Sequence, residues 1–248
     1  MIHELLNSLI LFASGAVAGF INIMAGGGSV LTIGIMILLG VEPVIANGTN
    51  RIGVLTGTVS GALTYKAEKF TDLKTSFLLS ICAIPGAIAG SLISIHISNE
   101  LFQKVLSIVM IFIMITMLLP KKKKELSINQ LKKNWLIYPV MFVIGFYGGF
   151  IQIGVGFILM AAFRHLMAYD LLHVNMHKTF VVLIYTIPVL IIFGISGKVH
   201  WLYAIAISLG NALGSYFSVK LALKKGEKVV KIVLVIAILL MAIKFLTE

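Results

Sequence analysis

The chain alternates between long apolar runs and short polar breaks. The runs cover residues 5–23, 30–39, 52–65, 77–97, 101–119, 136–153, 157–167, 180–193, 201–223 and 229–246. They are continuous and do not alternate with period two, which predicts helices rather than a barrel. Several hold about 20 residues, enough to cross a hydrocarbon core of about 30 Å. The runs at 30–39 and 157–167 are too short to cross alone, and each follows a glycine break. Joined to the runs before them they form units 5–40 and 135–168, leaving eight segments.

Composition sets the solvent. Of 248 residues, 59% are hydrophobic and 12% charged, and mean hydropathy is +1.06. A soluble domain carries about 25% charged residues. Too few polar groups remain to cover a water-facing surface, which excludes a soluble enzyme, a nucleic-acid-binding domain and a disordered chain. The net charge of +11 does not bring nucleic acid back, because the lysines and arginines sit between the apolar runs. Cytoplasmic loops collect such residues. The single cysteine, Cys82, lies in an apolar run and reads as a buried thiol with no intrachain partner. The start MIHELLNSLI has no basic region and no cleavage site, so no removable signal peptide is expected.

The chain repeats itself. Gly15 to Ile23 aligns with Gly145 to Ile153 at an offset of 130, which sets Asn22 opposite Gln152. Gly86 to Ser91 aligns with Gly210 to Ser215, and Thr49-Asn50-Arg51 falls near Met176-His177-Lys178. The expected organisation is a first repeat at 1–119, a basic cytoplasmic linker at 120–134 and a second repeat at 135–248. Charge then chooses the topology. Eight single crossings divide the positive residues 11 to 9, which is no asymmetry. If units 5–40 and 135–168 each enter and return on one side, the division becomes 16 to 4. The positive-inside bias favours the second arrangement, in which the halves are inverted. The expected fold is an all-α multi-pass protein of the plasma membrane, with two inverted repeats and glycine-broken first helices.

Two constellations carry candidate chemistry. The first is the pair of breaks, Gly26-Gly27-Gly28-Ser29 and Gln152-Ile153-Gly154-Val155-Gly156. Each glycine costs a helix about 1 kcal/mol relative to Ala. A break exposes backbone N–H groups, and the following helix N-terminus, with Ser29 as a cap, suits an anion. Close helix packing through small residues is the competing account. The second is Thr49-Asn50-Arg51 with His177 and Lys178, each set opening an apolar helix. Their side chains can cap that helix, donate to an oxyanion and supply one cation per half. Interfacial anchoring is the alternative for Arg51 and Lys178. His173 and His177 share a helical face, where interfacial hydrogen bonding is the default. All nine Asp and Glu lie at run ends or in loops. No carboxylate stands ready for a cation pump, no paired acid and base for a hydrolase, and no P-loop for nucleotide. No cofactor or metal is expected.

On these motifs the sequence resembles the sulfite exporter TauE/SafE family of membrane permeases. The likeness rests on Gly19-Phe20-Ile21 leading to Gly26-Gly27-Gly28-Ser29, on the 46–51 segment, on Gly86-Ala-Ile-Ala-Gly90, on the degenerate second copy and on the lysine-rich centre. It spans nearly the whole chain. Met176-His177-Lys178 departs from Thr49-Asn50-Arg51. The resemblance implies eight transmembrane segments and movement of sulfite, sulfonates or other organic anions. The expected function is secondary transport of a small anion, most consistent with export, through Asn22, Gly26 to Ser29, Thr49, Asn50, Arg51, Gln152, Gly154, Gly156, His177 and Lys178. An anion channel, or a membrane subunit docking a soluble enzyme, is the alternative. Expected partners are the anion and the lipid bilayer, with a homodimer allowed and nucleic acid excluded.

Overall fold

The computed structural model describes residues 2–118 and 135–226, together with Val229 and Ile232. The expected linker at 120–134 and most of the last apolar run lie outside the described residues. The described chain forms α1 (Ile2–Met24), α2 (Ser29–Leu38), α3 (Pro43–Ala67), α4 (Leu73–His96), α5 (Asn99–Leu118), α6 (Ile137–Phe150), α7 (Val155–Leu166), α8 (Leu171–Ile195) and α9 (Trp201–Lys225). Helices α1, α4, α8 and α9 are long and apolar enough to cross a bilayer. Helix α3 has 25 residues but buries a polar row, Asn47, Thr49, Asn50 and Arg51. The outer surface is apolar, with Leu5, Leu9, Phe77, Ile81, Ile191, Ile195 and Leu209 exposed. Polar side chains inside and apolar ones outside is the distribution a lipid solvent requires.

Small residues draw the helices together, as lipid offers no hydrophobic force between them. A Cβ on Gly19 would lie 2.8 Å from Asn211 Cα. Gly86 and Gly90 likewise abut the Phe142 and Phe146 carbonyls of α6. The halves therefore interleave: α1 packs along α9, and α6 along α4.

Direction follows from the contacts. Asn7 bonds Tyr203 at 3.1 Å and Ser218 bonds the Phe20 carbonyl at 2.9 Å, so α1 and α9 are parallel. Thr56 bonds the Ser208 carbonyl at 3.1 Å, and Glu68 pairs with Lys220, so α3 is parallel to both. Gly48 faces Phe193 while Gly61 faces Thr179, so α3 and α8 are antiparallel. Helix α2 leaves the end of α1, passes Asn50 through a 2.5 Å bond from Thr32, and returns to the start of α3. Helix α7 does the same beside α8. Each broken unit thus enters and comes back, and the halves are inverted. Arg51 and Lys178, which the sequence leaves between apolar runs, are interior in the structure. Of the other described cations, Lys66, Lys69, Lys74, Arg164, Lys220, Lys224 and Lys225 collect at one end; Lys104 and Lys198 stand at the other.

The register of the repeat differs from the expected one. Met24 and Phe150 end the first helices, and Ser29 and Val155 begin the second, each pair 126 residues apart. Pro43 and Leu171, and Leu73 and Trp201, are 128 apart. Gln152, at φ 66°, is the counterpart of Gly26, at φ 89°, rather than of Asn22. Likewise Asn47 corresponds to Asn175, and Arg51 to Thr179. The physical cause is the spacing of the small residues. They recur every four positions, so a slip of one helical turn preserves the match and the parallel packing.

Candidate functional site: a cavity at the meeting of two broken helices

The breaks form because the sequence denies α1 and α6 their continuation. Gly26 takes a left-handed conformation that a side chain resists. Gln152 takes a similar one despite its side chain, and that side chain is held by Arg51 at 2.7 Å. Helix α2 then starts without a side-chain cap; Ser29 is its first residue and not its cap. The N–H groups of Gly27, Gly28 and Ser29 meet no acceptor among the described residues. Unpaired donors at a helix start carry partial positive charge, equivalent to about half a unit.

Between the breaks lies a small, partly open cavity of about 30 Å³. Of the expected residues, Asn22, Gly26, Ser29, Gln152, Gly156 and Lys178 line it. Thr58 and Gly57 of α3, Thr179 and Val182 of α8, and Asn211 and Ser215 of α9 complete much of the wall. Asn211 could have been found as an amide inside an apolar run, where polar groups are costly and mark function. Gly27, Gly28, Thr49, Asn50, Arg51, Gly154 and His177 stand outside the wall. No Asp or Glu lines it.

The Thr49–Arg51 and His177–Lys178 sets are not helix caps. Pro43 opens α3, since a missing N–H costs nothing at a first position. Asp170 caps α8, accepting from the Leu172 and His173 backbone at 2.8 and 3.0 Å. The candidate cations therefore lie about two turns inside their helices. From there each reaches the broken helix of the opposite half. Arg51 donates to the Gly148 carbonyl at 2.8 Å, the Gly149 carbonyl at 2.7 Å and Gln152 Oε1. Its guanidinium also stacks 4.8 Å from the Phe193 ring centroid. Lys178 donates to the Ile23 carbonyl and to Asn175 Oδ1, both at 2.8 Å. Asn47 and Asn175 add matching bonds, to the Phe150 carbonyl at 2.9 Å and the Met24 carbonyl at 3.4 Å. The negative C-terminal ends of α1 and α6 are thus satisfied by side chains, while the positive starts of α2 and α7 face the cavity. His177 turns elsewhere, with Nδ1 2.8 Å from Ser76 Oγ and its ring stacked on Tyr169. His173 pairs with Asp170.

The family model for Sulfite exporter TauE/SafE matches residues 11–245. The chain belongs to this family. The chain is 28% identical to a probable membrane transporter protein, ORF9, of Sinorhizobium sp., covering 96% of this chain and 92% of that one. A probable membrane transporter protein of Haemophilus influenzae is 26% identical, over 96% and 94% of the two chains. The probable membrane transporter protein YfcA of Escherichia coli K12 is 27% identical, over 96% and 89%. No solved structure matches the chain. The protein is a multi-pass membrane transporter of the TauE/SafE family.

Proposed function

We propose that this transporter carries a small anion, such as sulfite, a sulfonate or another organosulfur or organic anion, and exports it by alternating access. One observation carries the reading: two helix starts and Lys178 converge on a cavity whose wall holds no carboxylate. Such a site attracts negative charge and offers nothing to balance a cation. The two inverted halves each contribute one break, and rocking one against the other would expose the cavity to either face in turn. The end bearing seven described cations faces the cytoplasm in this reading. No acid–base pair or nucleophile with its base lines the cavity, which favours movement of the solute over its conversion.

The test uses purified protein in liposomes. Preloaded sulfite should drive transient uptake of labelled sulfite against its gradient, and a panel of sulfonates should compete. Uptake that rises linearly with concentration, with no counterflow, would identify a channel and end the alternating-access reading.

A further inference from the structure

Lys178 is placed to do more than attract an anion, and the following rests on the anion-transport reading above. We propose that Lys178 is the proton-coupling group, so that each anion moves together with one proton. The geometry at Nζ carries this. Two acceptors face it, the Ile23 carbonyl and Asn175 Oδ1, each at 2.8 Å. A neutral amine has two N–H groups and one lone pair, so it satisfies both acceptors and asks for nothing more. An ammonium has a third N–H, and no third acceptor faces it among the described residues. That third donor needs a partner, and Lys178 lines the cavity. The amine therefore suits the empty cavity, and the ammonium suits the cavity holding an anion.

The surroundings sharpen the choice. The Lys178 residue is 3% exposed. An ammonium enclosed there without a counter-ion is costly, and the cost is relieved by an anion or by loss of the proton. No neighbouring element supplies a competing charge to the wall. It receives Asn22 from α1, Ser29 from α2, Thr58 from α3, and Asn211 and Ser215 from α9. Helix α7 offers Val155 and Gly156. The titratable groups nearby face away from it. Arg51 is committed to α6, and Tyr185 packs against Gly148. His177 faces Ser76 of α4 and Tyr169, with Asp72 and His173 beyond it. Tyr65 of α3 is a neutral phenol packed with Phe70. Arg51 cannot take the same part, because a guanidinium keeps its proton.

The step balances simply. From one side, the Lys178 amine takes a proton from water on its lone pair while the anion enters beside it. On the other side the N–H bond breaks, the electron pair returns to nitrogen, and the proton and anion leave together. One proton and one anionic charge cross in the same direction, so no net charge moves.

Proteoliposomes of the purified full chain test this with methanesulfonate and ethanesulfonate, monoanions whose parent acids are strong and bring no proton of their own. Counterflow without a pH gradient reads transport; accumulation under a gradient, with a pH dye in the lumen, reads coupling. With the outside one pH unit more acid, accumulation should rise about tenfold and the lumen should acidify as anion enters. Lys178→Arg, charged throughout, should lower counterflow because the residue lines the cavity, and the counterflow that remains should no longer drive accumulation with the gradient. Lys178→Gln, neutral throughout, should also lose the response, and serves where Arg overfills the cavity. Counterflow in the parent protein with no gradient response overturns the coupling and leaves the transporter reading standing. So does a Lys178→Arg or Lys178→Gln protein that still accumulates with the gradient. Absence of counterflow for both anions and for sulfite overturns the transporter reading and the coupling with it.

Discussion

Gly26 and Gly156 touch backbone to backbone where the two broken helices meet. A Cβ built on either would overlap the Cα of the other. The contact joins the break of one half to the first turn of α7 in the other, so it fixes the separation of the two helix starts. Gly156→Ala should therefore force them apart without adding backbone strain. The expected result is transport reduced by at least tenfold with protein still in the membrane. Gly26→Ala should be worse, adding about 1–3 kcal/mol for a side chain in a left-handed conformation. Gly34→Ala is the control: nothing lies within 4 Å of its Cβ. It should leave transport unchanged and gain up to about 1 kcal/mol of helix stability. Parent-level flux in Gly156→Ala would show that the spacing of the breaks does not matter.

Arg51 should behave as a brace for α6. It is fully buried, holds two carbonyls and Gln152, and stands outside the cavity wall. Arg51→Gln would leave buried carbonyls unpaired, at a cost of about 1–3 kcal/mol for each acceptor without a partner. Thermal unfolding in detergent should show a large loss of stability, together with exposure of the α6–α7 break to protease. Arg51→Lys should recover only part, because an ammonium cannot span the same acceptors as the planar fork. An Arg51→Gln protein as stable as the parent but blind to anions would move Arg51 from brace to ligand.

The broken helices, the inversion and six of the fifteen residues of the cavity wall are legible in the sequence. Glycines in an apolar run signal a break, and lysine placement signals direction. The register was not legible. Gly15, Gly19, Gly145 and Gly149 repeat at four-residue intervals, so alignments one turn apart score alike. Only tertiary contacts, such as Asn47 on Phe150 and Asn175 on Met24, separate them. The capping expectation failed for a related reason. The apolar run beginning at Ile52 looks like the start of a helix, but α3 starts at Pro43 and buries its polar turns against the opposite half.

Sidedness follows from the described cations. With Cys82 replaced by Ala, a cysteine at Ser196, next to Lys198, should react with an impermeant thiol reagent added to intact cells. A cysteine at Lys224 should react only after the membrane is opened. Both sites are exposed, so accessibility differs by side and not by burial. Equal labelling of the two in intact cells would contradict the proposed orientation.

The last prediction concerns the cavity floor. Gly57 lies on the α3 face toward α9, and a Cβ there would stand 2.9 Å from Ser215 Oγ and 3.3 Å from Asn211 Cβ. Ser215 is a small side chain that can turn aside, so Gly57→Ser should be accommodated. Gly57→Leu adds three further carbons in the direction of the space between α3, α8 and α9. Leucine also favours helix over glycine by roughly 1 kcal/mol, which offsets part of the crowding. The expected outcome is a folded protein whose thermal stability no longer responds to sulfite or methanesulfonate and whose counterflow falls to the level of empty liposomes. Gly57→Ser should keep both responses, with affinity changed by no more than a few-fold. The comparison separates filling from unfolding, since a ligand that binds only the folded state raises its apparent stability in proportion to occupancy. If Gly57→Leu still shifts with anion and still exchanges it, the solute passes elsewhere, and the cavity beside Lys178 is not its binding site.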